Sequence, residues 1–378
     1  MIYFDNSATT VKKPDSVSMA VYKAIASGNY GNPSRGSHDF SLNALEGLYK
    51  TRSVIADFFG VEDPLKVVLV SNVTTGLNLA IRGLLSDRDH VITSDAEHNS
   101  VLRPLYQLEN LGAEISFLPL DKRGNIEIEK LEESLRPSTK AVVITQASNV
   151  SGIATDLDYV FDFCIKNNLI LIVDGAQGAG TLNFKLRGRK FPDMVYAFTG
   201  HKSLYGPQGT GGLIFVGDLS PKAVFSGGSG IDSFNREQPN MLPDIFEYGT
   251  QNIHSNLGLL EGIKYLNDLG MEKVEDKLHS LANYFYNEVS KNKNVTLYNE
   301  FHRSCAPIVS LNVKDYSSGK TSDILWNKYK VATRGGSHCA QRYHESMGTK
   351  ERGMVRFSFS TFNTFKELDY VLEVLEII

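Results

Sequence analysis

Between residues 66 and 216, short apolar runs alternate with longer stretches in which apolar residues recur every three or four positions. The runs KVVLV, HVIT, EISFL, AVVIT, LILIV, MVYAF and GGLIFV are strand-sized and almost wholly apolar. Strands read this way when both faces of a largely parallel sheet are covered by helices. Residues 217–252 are rich in Gly, Pro, Ser and Asn and hold no sustained period. A stretch of that length inside a compact chain lines a site or an interface. Beyond it, residues 253–291 predict two helices broken near Gly270. PIVSLNV, a helix over 320–329, VAT, MVRFSFS and a terminal helix over 364–376 then predict a smaller α+β unit. The expected class is α/β, with one unit over 15–252 and a second over 253–378 that takes in the N-terminal residues 1–14.

Charge narrows the range of partners. The 378 residues carry a net charge of -4, with acidic and basic side chains interspersed, so neither nucleic acid nor an anionic membrane is an expected partner. The start, MIYFDNSATT, is acidic by its fifth residue and has no apolar signal segment, and no apolar run approaches the ~20 residues of a membrane helix. A cytoplasmic protein is expected. Cys164, Cys305 and Cys339 are odd in number, far apart and without metal-ligand spacing, so neither a disulfide framework nor a metal site is expected.

Ligands of open parallel sheets bind outside the carboxyl ends of the strands, so the residues following each apolar run hold the chemistry. SNVTTGLNLAI follows KVVLV and opens an amphipathic helix. Its small polar residues either cap that helix, through Ser71 or Thr74, or leave free N–H groups suited to a phosphate. SDAEHNS, after HVIT, holds His98, either a satisfied loop histidine or a ring laid against a planar cofactor. QASNVSG and DGAQGAG set Asn149, Asp174 and Gln177 at neighbouring strand ends. An aspartate closing an apolar strand is costly to bury as an anion unless a cation or several donors meet it, and a protonated heterocyclic nitrogen would serve. MVYAF runs into TGHK, where Lys202 is either a solvated charge or an amine of depressed pKa that condenses with an aldehyde. A phosphate cradle, an acid for a ring nitrogen and an amine nucleophile together are what pyridoxal 5'-phosphate requires.

The stretches YFDNSATT, GNPSRGSH, SNVTTGLNLAI, AEHNS, SNVSG, VDGAQ, TGHKSLYGPQGTGGL, FEYGTQN, RGGSHCAQ and VRFSFSTFNT, in this order, resemble the class V, fold-type-I pyridoxal-phosphate enzymes. Within them the chain is similar to the cysteine desulfurases and selenocysteine lyases. The resemblance implies a fold-type-I transferase, with a mostly parallel seven-stranded sheet flanked by helices and a smaller α+β domain carrying the catalytic-cysteine loop. It implies that Lys202 is the Schiff-base lysine, Asp174 the partner of the pyridinium nitrogen, and Asn149 and Gln177 the partners of the phenolic oxygen. His98 would stack on the ring and take part in catalysis, with Val73, Thr74, Thr199 and His201 around the phosphate. Gly249 and Thr250 match a strip that reaches the phosphate from a partner subunit, which implies a homodimer with shared active sites. Arg356 sits where the family binds the substrate α-carboxylate, a task that suits a planar bidentate guanidinium. Arg334 is placed with it toward the substrate, and Asn32 and Arg35 at the entrance.

The cofactor alone does not name the reaction, because class V also holds aminotransferases and β-lyases. Cys164, inside YVFDFCIKNN, and Cys305, before APIVSLNV, read as small buried hydrophobes. Cys339 lies in TRGGSHCAQRYH, with Arg334, His338, Arg342 and His344 near in sequence, and positive neighbours favour the nucleophilic thiolate. The stretch resembles the R-x-G-x-H-C-A signature of desulfurases with a short catalytic loop, with Ser337 where many have a histidine. The implied reaction converts L-cysteine, or L-selenocysteine, to L-alanine, holds the sulfur on Cys339 as a persulfide and passes it to an acceptor protein or thiol.

Overall fold

The computed structural model describes residues 1–378 apart from Arg35 and Asp232, so the expectation for Arg35 lies outside the described residues. The first part of the chain runs β1 (Ile2–Tyr3), α1 (Asp15–Ala26), α2 (Asp39–Phe59), β2 (Val67–Val70), α3 (Val73–Leu84), β3 (His90–Ser94), α4 (Asn99–Glu109) and β4 (Glu114–Leu118). There follow α5 (Leu131–Ser134), β5 (Thr139–Thr145), α6 (Leu157–Asn167), β6 (Ile170–Asp174), β7 (Met194–Thr199) and β8 (Gly211–Val216). The remainder is α7 (Ile253–Leu269), α8 (Met271–Val289), β9 (Val295–Leu297), β10 (Ile308–Val313), α9 (Ser318–Tyr329), β11 (Val331–Ala332), β12 (Arg334–Gly336), α10 (Gln341–Ser346), β13 (Met354–Ser358) and α11 (Phe365–Ile377). Residues 217–252 hold no helix or strand among the described residues.

Each of the seven apolar runs forms a strand of one sheet, in the order β2-β8-β7-β6-β5-β3-β4. The strands from β7 across to β4 are parallel, and β8 lies antiparallel between β7 and β2. Successive residues of each strand feed different cores: Val142, Ile144, Leu171 and Val173 pack into one cluster, Ala141, Val143 and Ile172 into another. Both faces are thus covered, which is why the strands lack polar alternation. Each fully buried Val, Leu or Ile contributes about 1.5–3 kcal/mol. The sheet order reverses between β3 and β5, the kind of switch point where α/β sheets take up ligands.

A second sheet, β12-β13-β10-β9, is antiparallel. Its cluster joins Val309, Leu311, Val355 and Phe357 to Leu281 and Phe285 of α8, Leu325 of α9 and Leu368 of α11. Phe4 packs into the same cluster, and β1 pairs in parallel with β11. The helix break falls at Gly270, whose φ of 80° both ends α7 and opens α8. Although it follows residue 252, α7 buries Ile253, Leu259, Ile263 and Leu266 in the core of the seven-stranded sheet and packs along α1 and α2.

Candidate active site

A cavity of about 760 Å³ opens at the carboxyl ends of β5 and β7 and the starts of α3 and α4. Of the residues the sequence singles out, Val73, Thr74, His98, Asn149, Gln177, Thr199, His201 and Lys202 line it on the side of the large sheet. Arg334, Cys339 and Arg356 line it on the side of the small one. The chain brings these groups together from positions hundreds of residues apart because the second sheet faces the strand ends of the first.

Lys202 follows β7, and burial lowers its ammonium to about 8, with Asp174 opposing the shift and Arg356 and Arg334 adding to it. An amine so placed passes between charged and neutral forms near physiological pH. Asp174 closes β6, is buried and does not itself line the cavity. Burial raises its carboxyl, while the Ala176 N–H donated to Oδ1 at 2.9 Å and the Lys202 charge oppose the rise. The turn after β6 rests on the Lys202 loop at Gly180 (φ 82°), where a Cβ would collide with the Ser203 carbonyl. The His201 carbonyl accepts from Thr10 N, Thr9 Oγ1 and Thr10 Oγ1, each at 3.1 Å, so the N-terminal segment clamps the same loop.

His98 is the N-cap of α4, its Nδ1 accepting from Ser100 N at 3.0 Å. A backbone N–H can only donate, so the ring proton sits on Nε2. Burial, then Lys202 and Arg356, lower this imidazole to about 4, and it is neutral at pH 7. His201 is also lowered to about 4, by burial and then Lys202 and Lys13. Asn149 donates from Nδ2 to the His338 carbonyl at 2.8 Å, Gln177 from Nε2 to the Ser7 carbonyl at 3.2 Å. The N-cap of α3 is Asn72, whose Oδ1 accepts from Thr75 N at 2.9 Å. Of the two readings left open for this helix start, capping by Ser71 or Thr74 is corrected: both stand one position or more from the residue whose extended backbone aims its side chain at the third amide. The amides of Val73 and Thr74 have no partner among the described residues.

Cys339 is exposed and precedes α10. It and His338 have φ of 56° and 48°, a left-handed pair unusual for residues other than glycine. Hydrogen bonds hold the pair: Asn99 N to the Cys339 carbonyl at 2.7 Å, Asn149 to the His338 carbonyl, and His338 Nε2 to the Met354 carbonyl at 3.0 Å. Of the four sequence neighbours expected to charge the thiol, Arg334 shares its cavity and the other three do not serve, a second correction. Arg342 turns away to Asp95 (2.6 Å) and lies over the Phe117 ring, because α10 carries it to the far side. His338 and His344 are buried, which lowers both and leaves them neutral. The cations that share the cavity with Cys339 are Lys202, Arg334 and Arg356. Cys164 and Cys305 are buried, their thiols pushed up by that burial to about 12 and about 11.

Asn32, Gly249 and Thr250 do not line this cavity. Asn32 is exposed and accepts from Ser34 N. Gly249 and Thr250 follow Glu247, which pairs with Arg52 and accepts from Leu69 N at 2.7 Å, pinning the segment along the edge strand β2. There Thr250 lines a separate cavity of about 330 Å³. Two carboxylates near the site were not singled out. Asp5 bonds both Arg334 and Arg356, and a signal existed in the charged residue of an otherwise apolar opening, MIYFD. Glu97 is wholly buried, accepts from Ser94 Oγ at 2.5 Å and Thr145 N at 3.0 Å, and is raised by burial to about 8. Its position beside His98 gave no sign of that burial.

The model of the class-V aminotransferase family matches residues 2–371. The chain belongs to this family. A probable cysteine desulfurase of Halalkalibacterium halodurans is 30% identical over 100% of this class-V chain and 92% of its own length. Among solved structures, the apo cysteine desulfurase of Thermococcus onnurineus NA1 superposes with a TM-score of 0.92 at 28% identity, over 100% of this chain and 94% of that one. The Escherichia coli cysteine desulfurase CsdA gives 0.87 at 26% identity, over 99% and 94%. The family is pyridoxal-phosphate dependent. The residues of this member fit that group: a depressed lysine amine, a buried aspartate, two free amides at a helix start, and a Thr199 hydroxyl buried without a partner.

Proposed function

We propose that this protein is a pyridoxal-phosphate-dependent cysteine desulfurase that converts L-cysteine to L-alanine and retains the sulfur on Cys339 as a persulfide. The observation that carries the reading is the exposed Cys339 thiol in the same cavity as the depressed Lys202 amine. Val73, Thr74, Thr199 and His201 would hold the cofactor's phosphate, Asp174 its ring nitrogen, Asn149 and Gln177 its phenolic oxygen, and His98 its face. When bound, the cofactor supplies an electron sink for the bonds about the substrate Cα. Lys202 moves the Cα proton. Cys339 sulfur attacks the substrate sulfur, the Cβ–S bond breaks with its electron pair left on carbon, and protonation of that carbon gives the methyl group of alanine. Arg356 and Arg334 face the substrate carboxylate.

The reading includes a homodimer. α1 and α2 expose Met19, Tyr22, Ile25, Phe40, Leu42, Leu45 and Tyr49, a density of apolar side chains that marks an interface. Gly249 and Thr250, outside their own cavity, would serve the partner's phosphate. The exposure of Cys339 leaves room for an acceptor thiol or protein to collect the sulfur, and a free reactive thiol suits a reducing, cytoplasmic setting. Among the described residues no helix is long and apolar enough to cross a membrane. The two units would meet within α8, because α7 packs with the large sheet while Leu281 and Phe285 pack with the small one.

The test is a product assay with L-cysteine and L-selenocysteine on wild type and Cys339→Ala. Alanine and sulfide from wild-type protein, with sulfide lost in the variant, are expected. Pyruvate and ammonia in their place would identify a β-lyase and overturn the reading.

A further inference from the structure

Arg334 and Arg356 are cross-strand partners, directly opposite in the β12–β13 ladder. Like charges in that relation repel, and Arg356 is 3% exposed, so a lone guanidinium there would be costly. Asp5 resolves both problems. Its carboxylate, 9% exposed, accepts from Arg334 Nε at 3.0 and 3.2 Å and from Arg356 Nη2 at 3.2 Å. Arg356 also donates from Nη1 to the Asn149 carbonyl at 2.8 Å, which locks its plane to the cofactor-facing wall.

What is left unbonded points to a ligand. Arg356 Nε is buried without a partner. Arg334 spends only its Nε on Asp5, its side chain is half exposed, and its Nη groups bond no described residue. Two cations against one carboxylate leave one positive charge over on the cavity wall, beside Lys202 and Cys339. One further carboxylate is what that wall lacks.

We propose that Asp5 is a positioning residue that sets Arg334 and Arg356 as a two-guanidinium clamp for the α-carboxylate of the substrate, Arg334 supplying the free terminal N–H groups. The proposal rests on the desulfurase reading for the identity of that substrate. Asp5 holds the two like charges at a fixed separation, so the incoming carboxylate meets donors already aimed. Without Asp5, Arg334 swings out to solvent and one arm of the clamp is lost.

The experiment compares two ligands on the cofactor-loaded enzyme, L-cysteine and cysteamine, which differ by the carboxylate alone. Dissociation constants come from the shift of the cofactor's absorbance on titration, for wild type, Asp5→Asn and Arg334→Ala. The preference of wild type for L-cysteine over cysteamine is expected to fall about tenfold or more in each variant, the worth of a charge-assisted hydrogen bond, with cysteamine binding unaltered. Equal weakening of both ligands would assign Asp5 to holding the fold and overturn the proposal, as would a preference that survives or grows in both variants. Should Asp5→Asn not accumulate as folded protein, Arg334→Ala decides, since it truncates a half-exposed side chain. Failure of the desulfurase reading shows separately, as wild-type enzyme that releases no alanine and sulfide.

Discussion

Lys202 and Cys339 line one cavity, and the loops that carry them are held in different ways. The Lys202 loop continues a buried strand, lies against Gly180, and has its His201 carbonyl gripped by four donors from Thr9, Thr10 and Lys13 of the N-terminal segment. Its polar groups are charge-matched from beneath by a buried aspartate. The Cys339 loop lies between the short edge strand β12 and the six-residue α10, exposes its sulfur, and keeps two left-handed residues in place through a few carbonyl contacts. One wall orients a fixed group. The other presents an exposed thiol which, on the proposed reading, receives sulfur and is then reached by a second molecule, and that exposure comes with a left-handed backbone.

The largest way to break the contrast is at the rigid wall. Lys202→Ala is expected to abolish the cofactor's near-visible absorbance band and to lower turnover about a thousandfold or more, checked by spectrum and alanine assay. Cys339→Ala is expected to leave that band intact while sulfide release falls to background; a variant that still releases sulfide from L-cysteine at the wild-type rate would remove Cys339 from its role. A smaller effect comes from acid. His98 and His201 are both lowered to about 4, so the unfolded chain takes up their protons first, from about 6.5 downward. Their neutral burial therefore stabilises the fold above pH 6.5, and that contribution is lost as the pH falls toward 4. Each histidine contributes at most about 3 kcal/mol, less after solvent screening. Urea unfolding of cofactor-free protein across that range should show the slope, and His201→Asn should flatten part of it. The smallest effect sits at the strained wall. Cys339→Gly should be about 1 kcal/mol more stable than Cys339→Ala, because glycine adopts φ of 56° without penalty. Equal denaturation midpoints would show that the loop is not strained.

The large sheet was legible because a strand buried on both faces has no polar alternation, and all seven runs carry that mark. Lys202, Asp174, Asn149 and Gln177 followed from the rule that strand ends meet ligands, a rule needing only local sequence. Register between distant strands leaves no such mark. The Arg334–Arg356 pairing depends on how β12 and β13 align, and Asp5 meets Arg356 across 351 positions. Arg342 lies away from Cys339 for a related reason: nearness in sequence carries no information about which side of α10 a residue occupies. Asn72 displaced Ser71 and Thr74 as the cap of α3 through a difference of one residue in where the helix begins.

The bond between Asp5 and Arg356 has a meaning for biosynthesis. Asp5 leaves the ribosome 351 residues ahead of Arg356, and at about 5–20 residues per second tens of seconds separate them. Through that interval the N-terminal segment has no small sheet to join and the proposed carboxylate clamp cannot exist. A nascent chain released before residue 356 would therefore carry Lys202 and its sheet without the guanidinium pair proposed to hold an amino acid by its acid group.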